Sequence, residues 1–235
     1  MQPIRDGFWE VLQLIKNGDP ELYQATFLTL LTSGSAILLA CIIGVPSGIL
    51  LGLSRFPGRK LLVTLINTGM GFPPVLVGLF VFLLLYRDGP LGNLKWLYTP
   101  AAMVTAQVII AVPLVIGVTL AAIGSLERDW FLQVRSLGAS YGQTLLLLLK
   151  ETRLGLAAAM MAGLGRILAE VGAVMMVGGN LKGETRVLTT SILMWVQRGD
   201  YELAIALGIF LLGIAFIANL CLTLVQQRAK ERRTG

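Results

Sequence analysis

Long stretches free of Asp, Glu, Lys and Arg alternate along the chain with short charged segments. The uncharged stretches cover residues 22–54, 61–86, 96–126 and 203–227. A fifth, 154–181, is interrupted only by Arg166 and Glu170. Each is long enough for the about 20 mostly apolar residues that a helix needs to cross the hydrocarbon of a bilayer. The pattern predicts an all-α, polytopic membrane protein of five transmembrane helices, organised as one domain over 1–235.

Composition sharpens this and removes several chemistries. Of 235 residues, 55% are hydrophobic and 14% charged, outside the range of a water-soluble domain. Histidine is absent, and the two cysteines, Cys41 and Cys221, lie in apolar runs where they read as small buried hydrophobes. His-ligated metal sites, Ser-His-Asp chemistry and a disulfide framework are therefore excluded. No catalytic residue, metal or cofactor is expected. The net charge of +6 would point to nucleic acid in a soluble protein, but here it reports cytoplasmic loops and no nucleic-acid partner is expected.

Five spans place the termini on opposite sides. With the N-terminus outside, the inner segments carry Arg55, Arg59, Lys60, Arg128, Arg135, Lys150, Arg153, Arg228, Lys230, Arg232 and Arg233. The outer segments carry Arg5, Lys16, Arg87, Lys95, Lys182, Arg186 and Arg198. The positive-inside rule then puts the N-terminus outside the cell membrane and the C-terminus in the cytoplasm. Residues 1–20 lack the basic start and unbroken apolar core of a secretory signal. Phe8, Leu12 and Ile15, with Trp9 beside them, predict a short helix in the outer interface, with a disordered tail as the alternative. Asp19 is placed to cap the first span and Pro20 to begin it.

Within the spans, Gly44, Gly48 and Gly52 form a small-xxx-small series that admits a second helix backbone, and Pro46 predicts a kink. Gly69, Gly71, Pro73 and Pro74 must break span two near mid-membrane, so that it faces either packed protein or a pathway. Span three adds Pro113 and a single strongly polar side chain, Gln107. In span four, Arg166 and Glu170 fall four residues apart, roughly 18 Å and 24 Å from its inner end. Ionised there, each costs at least about 2.5 kcal/mol unless paired or wet. One reading is a helix-locking ion pair; the other is that Arg166 offers a positive potential to a passing anion, moderated by Glu170. Gly178-Gly179-Asn180 then signals a left-handed helix end.

The inner segment 127–153 reads as an amphipathic helix through Trp130, Phe131, Leu132, Val134 and Leu137, a break at Gly138-Ala139-Ser140, and a second helix from Tyr141 to Lys150. Such a helix either docks a partner protein or rests in the interface. The sequence Arg135-Ser136-Leu137-Gly138-Ala139-Ser140 resembles the core of the cytoplasmic loop of binding-protein-dependent ABC importer permeases. Further on, Arg166-Ile-Leu-Ala-Glu170-Val-Gly172-Ala173, Gly179-Asn180 and Gly183-Glu184-Thr185-Arg186 closely resemble molybdate and tungstate permeases, and the run from Ala169 to Asn180 is most similar to the tungstate branch. The chain departs from the general permease loop at Leu132-Gln133-Val134, where the family has Glu-Ala-Ala, and at Lys150-Glu151, where it has Leu-Pro.

The resemblance implies a type I importer permease fold, an ATPase-coupling segment over Leu132, Gln133, Val134, Arg135, Ser136, Leu137, Gly138, Ala139 and Ser140, and a pathway in which Pro73, Pro74 and Gly172 are lining or hinge positions. It also implies a homodimer of this chain, two ABC ATPase subunits and an extracytoplasmic oxyanion-binding protein. Tungstate leads as the cargo, followed by molybdate and then sulfate. The chain itself lacks a phosphate loop: Gly52 to Lys60 is the nearest approach and misses the Gly-Lys-Ser/Thr ending. A channel or secondary transporter is the competing class, but the repeats and multiple buried ionisable groups of the latter are missing from the sequence.

Overall fold

The computed structural model describes residues 2–234, with side chains at all of these except 2–5, 8, 128, 135, 225 and 228–234. Its described elements are helical. In order they are α1 (Gln2–Asn17), α2 (Pro20–Leu53), α3 (Arg59–Met70), α4 (Pro74–Leu85), α5 (Pro100–Gly124), α6 (Arg128–Ser136), α7 (Tyr141–Leu168), α8 (Gly172–Gly178), α9 (Leu188–Gln197) and α10 (Tyr201–Thr234), with a short 3-10 turn at Gly92–Leu94.

Three helices, α2, α5 and α10, are long and apolar enough to cross a membrane unbroken. Two further pairs qualify only together: α3 with α4, bent by 99°, and α7 with α8, bent by 59°. Counting each pair as one crossing gives five. Local chemistry explains the first bend, since Gly71, Pro73 and Pro74 stop α3 and start α4. α2 begins as its sequence dictates, with Asp19 Oδ1 accepting from Leu22 N at 2.9 Å and Pro20 in the first turn. It continues as one helix past the exposed Pro46.

Two expected boundaries move. The second helix of the inner loop and span four are one helix, α7, because Lys150, Glu151 and Arg153 are ordinary helix formers that give it no reason to stop. The break falls later, between Leu168 and Gly172. The outer segment after Asn180 is not wholly a polar loop either. α9 lies along the first turns of α2: Leu188 N donates to Thr29 Oγ1 at 2.9 Å, and Leu188, Leu22, Ala25 and Leu207 share one buried cluster.

In lipid, apolar burial drives helix association weakly, so close backbone approach has to hold the helices. α2 and α5 show how. A Cβ on Gly44, Gly48 or Gly52 would stand 2.8, 2.7 or 2.9 Å from Val115, Thr119 or Ile123, so the glycine series of one helix receives a branched series of the other. Around this pair the core falls into levels: Val77, Val81, Met103 and Val174 toward one end, Ala40, Ala111, Val115 and Ala159 in the middle, and Ile49, Ile123 and Leu148 toward the other. α1 packs on α10, where Gly7 meets Ile205, and leaves Trp9, Leu12 and Ile15 exposed on its other side; Phe8 lies outside the described side chains.

Candidate functional site

α6 is a short helix pinned at one end of the bundle. Trp130 and Phe131 stack edge to face at 4.9 Å and pack on Ile49, Ile123 and Leu148, with Val134 buried nearby. Leu132 on α6 is 58% exposed, and Leu137, in the turn that follows the helix, is 86% exposed. Val134, expected among the coupling residues, is buried, at 8% exposure. Arg135 has no described side chain. Gly138 adopts φ +74°, a left-handed conformation natural to glycine, and a Cβ there would meet nothing within 4 Å. Ser140 then starts α7 through a capping box: its hydroxyl accepts from Gln143 N, and the Gln143 side chain accepts from Ser140 N at 2.8 Å. Gln133, Ser136, Leu137, Gly138 and Ser140 are all exposed, and Ala139 is half-buried.

The two broken spans meet. A Cβ on Gly78 of α4 would lie 2.7 Å from the Ala173 backbone of α8, and one on Gly172 would lie 2.8 Å from Val75. Val75 and Gly172, at the two breaks, are thus brought together; Pro74, next to Val75 in the chain, is half-buried and Pro73 is exposed. Glu170 sits in the second break, 6% exposed, with Oε1 accepting from Ala173 N at 2.9 Å and its carbonyl accepting from Thr189 Oγ1 at 3.1 Å. It caps α8. The ion pair with Arg166 is not formed, and its geometric premise fails: α7 ends at Leu168, so the two residues do not share a helix. Arg166 is half-buried, without an ion-pair partner among the described residues.

At the other end, segment 179–187 is tied to the start of α2. Glu21 pairs with Lys182 at 2.7 Å and with Arg186 at 2.5 Å, and Gln24 Nε2 donates to Gly183 O at 3.0 Å. Thr185, fully buried, donates to Gly178 O and accepts from Leu181 N. Gly179, at φ +70°, ends α8 against the Tyr98 ring, a close approach that a side chain would block. The left-handed end was legible in Gly178-Gly179-Asn180; Glu21, Gln24, Thr29, Thr185 and Thr189 were not. The hydroxyl-rich run Thr189-Thr190-Ser191 inside an apolar stretch was the available signal.

Residues 44–231 match the family described as binding-protein-dependent transport system inner membrane component. The chain is 38% identical over 231 residues to the tungstate uptake system permease protein TupB of Peptoclostridium acidaminophilum, covering 97% of this chain and 100% of that one. It is 36% identical over 216 residues to the protein of the same name in Campylobacter jejuni, covering 92% and 90%. In fold it is similar to a chain of a bacterial ABC transporter involved in import of the acidic polysaccharide alginate, with a TM-score of 0.75 at 23% identity, covering 95% of this chain and 83% of that one. A family match over most of the length, and two relatives aligned nearly end to end, place the chain among the inner membrane components of binding-protein-dependent transport systems, the permeases of ABC importers.

Proposed function

We propose that the chain carries tungstate into the cell as the membrane subunit of an ATP-driven importer. Two copies enclose the route, two ABC ATPase subunits dock on the α6 side, and an extracytoplasmic oxyanion-binding protein delivers the cargo on the opposite side. The N-terminus lies outside and the C-terminus in the cytoplasm, so α6 faces the cytoplasm. The whole chain acts as one permease domain, and ATP hydrolysis belongs to the docked subunits.

The observation that carries this reading is α6: a helix packed on the bundle through Trp130 and Phe131, with Leu132 and, in the turn after it, Leu137 left bare. Exposed leucines beyond the bundle end need a protein partner, and the clamp transmits that partner's motion to α2, α5 and α7. The similarity to tungstate permeases over nearly the full length supports the choice of cargo. Arg166 supplies positive potential to the anion without trapping it, since a doubly charged ion bound tightly at mid-membrane would not leave. Pro73, Pro74 and Gly172 form the hinge of the route.

The test is uptake by the complete assembly, with tungstate, molybdate and sulfate in competition. Tungstate should win at limiting concentration, and vanadate, an inhibitor of the ATPase, should stop transport. Accumulation of tungstate by the permease alone in vesicles would overturn the reading.

A further inference from the structure

α3 leaves unusual chemistry uncovered. None of its residues is buried, although with α4 it forms a bent pair apolar enough to cross a membrane. The side formed by Arg59, Val63, Ile66 and Met70 is half-buried; next to it Gly69 abuts Pro113, and Met70 reaches Gly117 of α5. At about 100° per residue the remaining positions split into two flanks. Leu61, Leu62 and Leu65 form one, at 66%, 42% and 60% exposure. Lys60, Thr64, Asn67 and Thr68 form the other, all exposed.

The polar flank is costly to leave against lipid. Thr64 and Thr68 hydroxyls donate to the carbonyls of Lys60 and Thr64, each at 2.9 Å, which satisfies their protons and turns their lone pairs outward. Asn67 has no hydrogen-bond partner among the described residues. An amide in hydrocarbon without a partner is strongly disfavoured. The flank leads to the break itself, where Gly71, Phe72 and Pro73 are exposed, and irregular backbone at this depth survives only against protein or water. Lys60 at the near end adds an ammonium that favours water. Leucines on the opposite flank suit lipid or a second copy.

We infer that Lys60, Thr64, Asn67 and Thr68 line the water-filled route on the α6 side of the membrane, where the Asn67 amide offers N–H donors to a passing oxyanion and Lys60 draws it toward the exit. This rests on the proposed transport function and assigns residues to it. Weak neutral donors suit the task, since an anion must be solvated without being held.

The test replaces Cys41 and Cys221 by alanine in the complete assembly, confirms tungstate uptake by that parent, and introduces Thr64→Cys, Asn67→Cys, Leu61→Cys and Leu65→Cys one at a time. Open membrane fragments are then treated with a negatively charged, membrane-impermeant methanethiosulfonate. The Thr64→Cys and Asn67→Cys variants should react at least about tenfold faster than the leucine-flank variants, because a thiol in apolar surroundings ionises poorly. Modification should also abolish uptake. Asn67→Leu should reduce uptake with ATPase association unchanged, and Asn67→Ser should retain most of it. Equal labelling of the two flanks, or oxidative cross-linking of Asn67→Cys between two copies with no labelling, would overturn the inference. A parent that carries no tungstate would instead overturn the transport reading, and the labelling contrast would still report which flank of α3 is wet.

Discussion

Glu170 lies between α7 and α8, and its carboxylate accepts the Ala173 amide, so from one residue ahead of the N-cap Val171 it does a cap's work of satisfying a first-turn N–H. Glu170→Gln keeps an acceptor oxygen and should preserve stability. Glu170→Ala should lose about 0.5–2 kcal/mol, the usual worth of a cap, read as an earlier thermal transition of the purified assembly. Equal losses in both variants would mean that the charge, not the acceptor, is needed. Gly78 offers a second contrast. A methyl group there would press on the Ala173 backbone, which cannot rotate away, so Gly78→Ala should cost about 1–3 kcal/mol. Gly34, which has nothing within 4 Å, should accept alanine with a change inside about 0.5 kcal/mol.

Among the elements, α6 separates two roles that one helix usually mixes. Trp130→Ala removes part of the clamp and should cost about 3–5 kcal/mol of local packing, detected as faster proteolysis of 127–141 even without the ATPase. Leu137→Ala removes an exposed side chain and should leave proteolysis unchanged while weakening co-purification of the ATPase subunits severalfold. Gly138→Ala puts a Cβ on left-handed backbone, at about 1–2 kcal/mol, and should reduce coupled uptake through the turn rather than through lost contact. Local signals made much of this legible. Asp19-Pro20 fixes the start of α2, Gly44, Gly48 and Gly52 announce a close neighbour, and Pro73-Pro74 breaks a span, because each acts through its own backbone or within one helix. The end of α7 was not legible, since Leu168-Ala169-Glu170-Val171 contains no breaker and the close approach of α4 at Gly172 is a contact between distant parts of the chain. α9 was missed for a related reason: its ten residues are too short to cross a bilayer, and only contact with Thr29 and Glu170 shows that they lie within the protein.

For the whole molecule, segment 179–187 should remain ordered in the free permease, held by Glu21, Gln24 and Thr185. Arg186→Ala removes the less exposed of the two cations on Glu21 and should speed amide hydrogen exchange in 179–187 severalfold, leaving 127–141 unaffected; equal protection would show that the hydroxyl and amide contacts suffice. Finally, the abutting breaks of two spans have a mechanical consequence. Among the described residues, the helices long and apolar enough to cross a membrane unbroken are α2, α5 and α10. A tug delivered at Trp130 should therefore travel along the unbroken α2–α5 pair, and because α4 and α8 share a buried cluster with Met103 and Ala106 of α5 they should be carried with it, with the two breaks as the places that can flex.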